Sequence, residues 1–161
     1  VVSAVEFLHA RHVVHRDVKA GNVLLTGAVA APVLDLPTVK LGDLGLSREV
    51  DATMTQCAGT FRYMAPEVFV SERYAEPADV FSCGILLHEV MSGKKPFASI
   101  SGLRVAAAIA TGTRPEPADI GTGPIVEALG TVLHASWAED PAVRPTSAYL
   151  RECLEPLVPG R

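Results

Sequence analysis

Three rhythms of apolar and polar positions follow one another along this chain of 161 residues. In residues 1–11, Val1, Val5 and Leu8 fall on one face with His12 at helical spacing, which predicts a helix already under way where the sequence starts. The second rhythm is short. "VVH" at 13–15 and "NVLL" at 22–25 read as brief β segments flanking a polar loop. "TVKLGDLGLS" at 38–47 alternates and then reaches two glycines, as a strand running into a loop does. Between these pieces, "TGAVAAPVLDLP" at 26–37 is rich in small residues and proline and predicts an irregular connection. Residues 46–64 keep no period and hold several threonines, which predicts an exposed, mobile segment. From Pro77 the third rhythm begins. "PADVFSCGILLHEVMSG" has an early proline, an early Asp and a closing glycine, and is apolar nearly all round, so it predicts a buried central helix. Weaker helical patterns follow at about 99–111, 123–136 and 145–156, separated by "TGTRPEPADIGTG" and "WAEDPAVRP".

Residues 12–25, "HVVHRDVKAGNVLL", break these rhythms. Arg16, Asp17 and Lys19 stand side by side, Asn22 follows, and Val23, Leu24 and Leu25 come at once after it. An abrupt switch of this kind predicts polar groups held at the edge of a core. The same loop carries the parts of a phosphoryl-transfer site. Asp17 can orient a hydroxyl and accept its proton, Lys19 can face a transferring phosphoryl group, and Asn22 can give a neutral oxygen to Mg²⁺. Mg²⁺ takes one or two carboxylates beside substrate phosphates, and Asp43 in "GDLG" ends a predicted strand, with Gly45 next to turn the chain.

Composition narrows the classes. An apolar fraction of 48% supports a sizeable core in one domain or a large piece of one. Net charge −4 gives no electrostatic reason to expect nucleic acid or an anionic membrane as a partner. No apolar run approaches the ~20 residues of a membrane span. Cys57, Cys83 and Cys153 are odd in number and widely spaced, which points to a reducing, cytoplasmic setting without disulfides. No secretory leader is visible, and a first residue that is not Met, inside an uncapped helix, reads as part of a longer chain. His9, His12, His88 and His134 show no metal spacing, while Cys83, Met91 and Trp137 read as packing residues.

"HRDVKAGN", "DLG" and "APE" (Ala65–Glu67), in that order, resemble the catalytic loop, the metal-binding motif and the end of the activation segment of eukaryotic protein kinases. "GTFRYMAPE" and "WAEDPAVRPT" extend the resemblance over essentially the whole chain, and Lys19 with "GTFRYMAPE" is similar to the serine/threonine type, in the flavour of the tyrosine-kinase-like group. The resemblance implies a mainly α (α+β) fold, a helical C-terminal lobe with short β-hairpins at the cleft. Its catalytic loop would be 15–22, its activation segment 43–67 and its helical subdomain 77–157. It implies ATP and Mg²⁺ as cofactors and a protein substrate with a Ser/Thr acceptor. Asp17 would be the base, Lys19 would touch the γ-phosphate, and Thr60 would position both. Asn22 and Asp43 would hold Mg²⁺, and Leu24 would form the floor under the adenine. His15, read from its apolar neighbour Val14 as structural, would stack with Leu44 in a spine anchored by Asp79. Arg16 would receive a phosphate placed on Thr53 or Thr55. Glu67 and Arg144 would form a buried ion pair.

The sequence departs from the family in three places. It has no GxGxxG, and its four lysines, Lys19, Lys40, Lys94 and Lys95, include none before the catalytic loop. The N-terminal lobe is therefore expected to be absent, and these residues alone are not expected to turn over. The 26–37 connection is longer than in the family and has no assigned role, and Leu44 stands where Phe is usual. Two other classes stay open. One is a pseudokinase or scaffold module, if the upstream region lacks the ATP-binding lysine. The other is a small-molecule phosphotransferase, against which "APE", Arg144 and the threonine-bearing segment argue.

Overall fold

The computed structural model describes residues 1–26, 38–44, 60–70, 75–102 and 104–157. Helix α1 (Val2–His9) leads through the polar loop into strand β1 (Val23–Thr26), which pairs antiparallel with β2 (Thr38–Leu41) in the register Val23↔Leu41 to Thr26↔Thr38. Two 3₁₀ turns, Thr60–Tyr63 and Pro66–Phe69, precede α2 (Glu76–Ser92). Then come α3 (Arg104–Ala110), α4 (Pro124–Ser136) and α5 (Ser147–Leu154). The architecture is mainly α, with one two-stranded sheet among the described residues, as the sequence predicts.

Helix α2 is apolar all round because it lies between two cores. Phe81 and Ile85 point into a cluster with Tyr63, Phe97, Ile109 and Leu133. Val80, Cys83 and Leu86 point into a second cluster with Val5, Val18 and Leu150. Its close approach to α4 depends on Gly84, where an added Cβ would sit 2.8 Å from the Ser136 Cβ. Gly93 closes α2 in the left-handed conformation, φ 65°, that glycine adopts without strain. No helix among the described residues is long and apolar enough to cross a membrane.

Several local expectations change. The first helix stops at His9, and His12, placed on its inner face by the pattern, has left-handed φ 57° and a side chain 93% exposed. The Val13 N–H reaches back to the Leu8 carbonyl, closing the helix end through a residue position that usually takes Gly or Asn. "VVH" forms no strand, because its last amide is captured by a carboxylate rather than by a neighbouring strand. Leu24 and Leu25 do not pin the loop: both are half exposed, and of this hairpin only the Val23–Leu41 end packs against the second cluster among the described residues. The loop is pinned instead by Val18, which is buried. The helix expected over 99–111 is shorter, starting at Arg104, because turns occupy residues 96–100.

Candidate active site

The polar loop is suspended from Asp79, in the first turn of α2 and 1% exposed. Its Oδ2 accepts the His15 N–H at 2.8 Å and its Oδ1 accepts the Arg16 N–H at 2.8 Å. His9 donates from Nε2 to the same Oδ2 at 2.9 Å and meets the Ser147 hydroxyl at Nδ1, 3.0 Å away. A buried carboxylate is stable only when its oxygens find donors, and here three donors from two segments supply them. Two adjacent amides can face one carboxylate because Arg16 takes the left-handed φ of 71°, a conformation that costs energy outside glycine and recurs at functional sites.

His15 is buried and ties the loop to the sheet. Its Nε2 donates to the Gly42 carbonyl at 3.1 Å, and its Nδ1 accepts the Asp17 N–H at 3.3 Å. The Gly42 N–H in turn donates to the Asn22 carbonyl at 2.8 Å. A Cβ on Gly42 would sit 3.1 Å from Leu24 Cδ1, so the close strand contact favours glycine. Asn22 and Asp43 thus stand at the same end of the β1–β2 hairpin, linked through Gly42. Asp43 has φ 63° and is exposed.

The polar groups of the loop converge on Asp17. Its Oδ2 accepts from Lys19 Nζ at 2.6 Å and from Asn22 Nδ2 at 2.9 Å, and Asn22 Nδ2 also donates to the Asp17 carbonyl at 2.8 Å. Lys19 Nζ donates a second bond to Thr60 Oγ1 at 3.0 Å. The other carboxylate oxygen of Asp17, Oδ1, is buried and has no partner. Such an atom costs free energy unless a ligand donates to it. With its amide nitrogen committed to Asp17, Asn22 is oriented by the same contacts that orient the carboxylate.

Among the described residues no group of three or more His, Cys, Asp or Glu could hold a metal ion alone. Asn22 and Asp43 offer two oxygen donors, which suits Mg²⁺ completed by phosphates and water.

Glu67 and Arg144 meet away from this site in a forked pair of 2.7 and 2.9 Å. The remaining Arg144 donors reach the carbonyls of Ala138, Pro77 and Glu139 at 2.8, 3.0 and 3.2 Å. The expected spine is different for Leu44. That side chain is 58% exposed and is not enclosed by packing among the described residues, while the His15 ring is committed to Gly42. Leu24 is 54% exposed, an apolar face at the cleft edge. Arg16 is exposed beside the loop. Thr53 and Thr55 lie outside the described residues, as do most of 43–67 and all but the first residue of 26–37.

Sequence reasoning missed His9, which is no stray histidine but a strut between Asp79 and α5. It also missed Val18, the Tyr63 hydroxyl that donates to Glu89 at 2.5 Å, and Arg62, whose guanidinium reaches the carbonyls of Pro96, Phe97 and Ile100. The Tyr63 hydroxyl is pushed well above its ordinary pKa, first by burial and then by Glu89. No spacing rule could find these, because each partner lies far off in sequence.

The model of the protein kinase domain family matches residues 1–155. The chain is 34% identical over 163 residues to mitogen-activated protein kinase kinase kinase 11 of Homo sapiens, covering 98% of this chain and 19% of that protein. It is also 34% identical to serine/threonine-protein kinase STY17 of Arabidopsis thaliana, covering 98% of this chain and 26% of that one. It is 33% identical to seven transmembrane domain-containing tyrosine-protein kinase 1 of Dictyostelium discoideum, over 91% of this chain and 20% of the relative. The chain therefore spans about a fifth to a quarter of the length of these relatives.

Proposed function

The chain belongs to the protein kinase domain family, and on that premise we propose that it carries the catalytic half of a site that transfers the terminal phosphoryl group of ATP to Ser or Thr hydroxyls of proteins. The observation that supports this most is the pairing state of Asp17. One carboxylate oxygen is occupied by Lys19 and Asn22, and the other is buried without a donor. A substrate hydroxyl would supply that donor. Its proton then passes to Oδ1 as its oxygen bonds to phosphorus and the bond to the ADP oxygen breaks. Lys19, held between Asp17 and Thr60, keeps a positive charge where the phosphoryl group would lie.

Asn22 and Asp43 would hold Mg²⁺, which neutralises phosphate charge when bound. Leu24 presents an apolar face to the adenine. Arg16 would take up a phosphate on Thr53 or Thr55, which adds about −1.5 to −2 charge. The glycine-rich loop and strand lysine that such a site needs do not occur in this sequence and would come from outside it. Serine/threonine preference is supported by Lys19 two residues after Asp17 and by the two serine/threonine or mitogen-activated relatives; the tyrosine-kinase relative argues the other way.

The test is phosphate transfer from ATP by the full-length protein to generic Ser/Thr and Tyr peptides. The expected outcome is labelling of the Ser/Thr peptides alone, falling by roughly 10²–10⁴-fold in Asp17→Asn. Equal labelling of Tyr peptides overturns the specificity. Undiminished transfer by Asp17→Asn removes the role given to that carboxylate. No transfer by the intact protein favours a binding module instead.

A further inference from the structure

We propose that Arg62 is a positioning residue, which sets the place of Thr60, and through it Lys19, by clamping the 96–100 loop. Three carbonyls of that loop converge on one guanidinium. Arg62 Nη1 donates to Pro96 O at 2.7 Å and to Phe97 O, and Nη2 donates to Ile100 O at 3.0 Å. The loop has no helix or strand of its own, and Phe97 within it takes the left-handed φ of 52° while its side chain is buried. Converging carbonyl dipoles repel one another and are costly to desolvate without a cation between them. Arg62 supplies that cation with a planar fork that spans several acceptors.

The other side of the same turn is the catalytic one. Arg62 lies two residues from Thr60 in the 3₁₀ turn Thr60–Tyr63, and Thr60 Oγ1 accepts from Lys19 Nζ. Tyr63, at the end of the turn, is held by α2: its carbonyl accepts from Ser82 at 2.7 Å and its hydroxyl donates to Glu89. The turn is therefore fixed at its centre by the loop, at its end by α2, and at its start it presents Thr60 to the lysine. Releasing the centre frees the start. Arg62 touches neither Lys19 nor Asp17 in any bond seen here, so its effect travels through Thr60.

This inference rests on the function proposed for Asp17, Lys19 and Thr60, and its test has one arm that needs no activity. In the full-length protein, Arg62→Ala is expected to lower kcat by roughly 10- to 100-fold with KM for ATP unchanged, since displacement of a catalytic group by about an ångström has effects of this size. In a Thr60→Ala background the same substitution is expected to cost nothing further, because the path it acts through is already cut. A structural role would give the same loss in both backgrounds, and that result overturns the proposal. Amide hydrogen exchange on the same proteins is the second arm. Faster exchange should reach residues 16–22 as well as 60–63 and 96–100. Exchange that quickens only at 96–100 also overturns it, whether or not the wild type transfers phosphate. An inactive wild type with coupled exchange counts against the proposed function alone. If Arg62→Ala does not fold, Arg62→Lys, which keeps the charge and loses the fork, takes its place in both arms.

Discussion

Of the carboxylates that meet a cation among the described residues, Glu67 and Asp17 are finished differently. Glu67 gives both oxygens to Arg144, and Arg144 places all five of its N–H donors, three of them on backbone carbonyls. Asp17 gives one oxygen to Lys19 and Asn22 and keeps the other buried without a donor. Full satisfaction is what a permanent joint between segments requires, since any lost partner leaves a charge stranded in low dielectric. An incomplete set is tolerated where a second molecule completes it. On the proposed function, the contrast separates the group that holds the fold from the group that would act on a substrate.

The largest effect should come from exchanging roles between these two sites. Arg144→Ala strands Glu67 and is expected to destabilise the protein by ~3–5 kcal/mol in urea denaturation. Asp17→Asn should shift the same denaturation midpoint less, by about 1 kcal/mol or less, because it removes the charge from a buried oxygen that has no donor and leaves Lys19 its bond to Thr60. An Asp17 variant as damaging to stability as the Arg144 variant would erase the distinction. Next in size is Gly84→Ala. Its new Cβ would lie 2.8 Å from Ser136 Cβ, so α2 and α4 must move apart, at about 1–3 kcal/mol. Restoring the midpoint with Ser136→Gly would show that this contact is the cause.

The smallest effect concerns Cys83, whose thiol is pushed from its ordinary 9.0 up to about 12, first by burial and then by the charge of Asp79. A group that keeps its proton longer in the folded state favours folding fully below the unfolded value of 9.0. That contribution is lost as pH rises from 9.0 towards about 12, because the unfolded thiol ionises first. Cys83→Ala should therefore flatten the decline in stability over that interval. At neutral pH, alkylation followed by mass spectrometry should label the partly exposed Cys153 before the buried Cys83.

Much of the site was legible from the sequence because its members sit within one loop. Asp17, Lys19 and Asn22 span six positions, and their chemistry is set by residue type and nearness along the chain. The buried helix was legible for a similar reason, since its proline start, glycine stop and apolar residues all lie inside 76–93. The strand read into "VVH" and the packed place of Leu44 were not. Each depended on what lay opposite, and an apolar residue does not record in its own identity whether another layer will cover it.

Helix periodicity, caps and a contiguous motif are properties of neighbours along the chain, so the helical plan, the mainly α class and the polar loop follow from residue order. What holds that loop depends on residues that packing brings to it from far along the chain. Lys19 meets Thr60 across 41 residues, His15 meets Asp79 across 64, His9 meets Asp79 across 70 and Arg144 meets Glu67 across 77. Hydrogen bonds form between groups that packing has brought within about 3 Å. The apolar faces of α2 choose those neighbours, and the polar groups on the loop then take the partners left within reach.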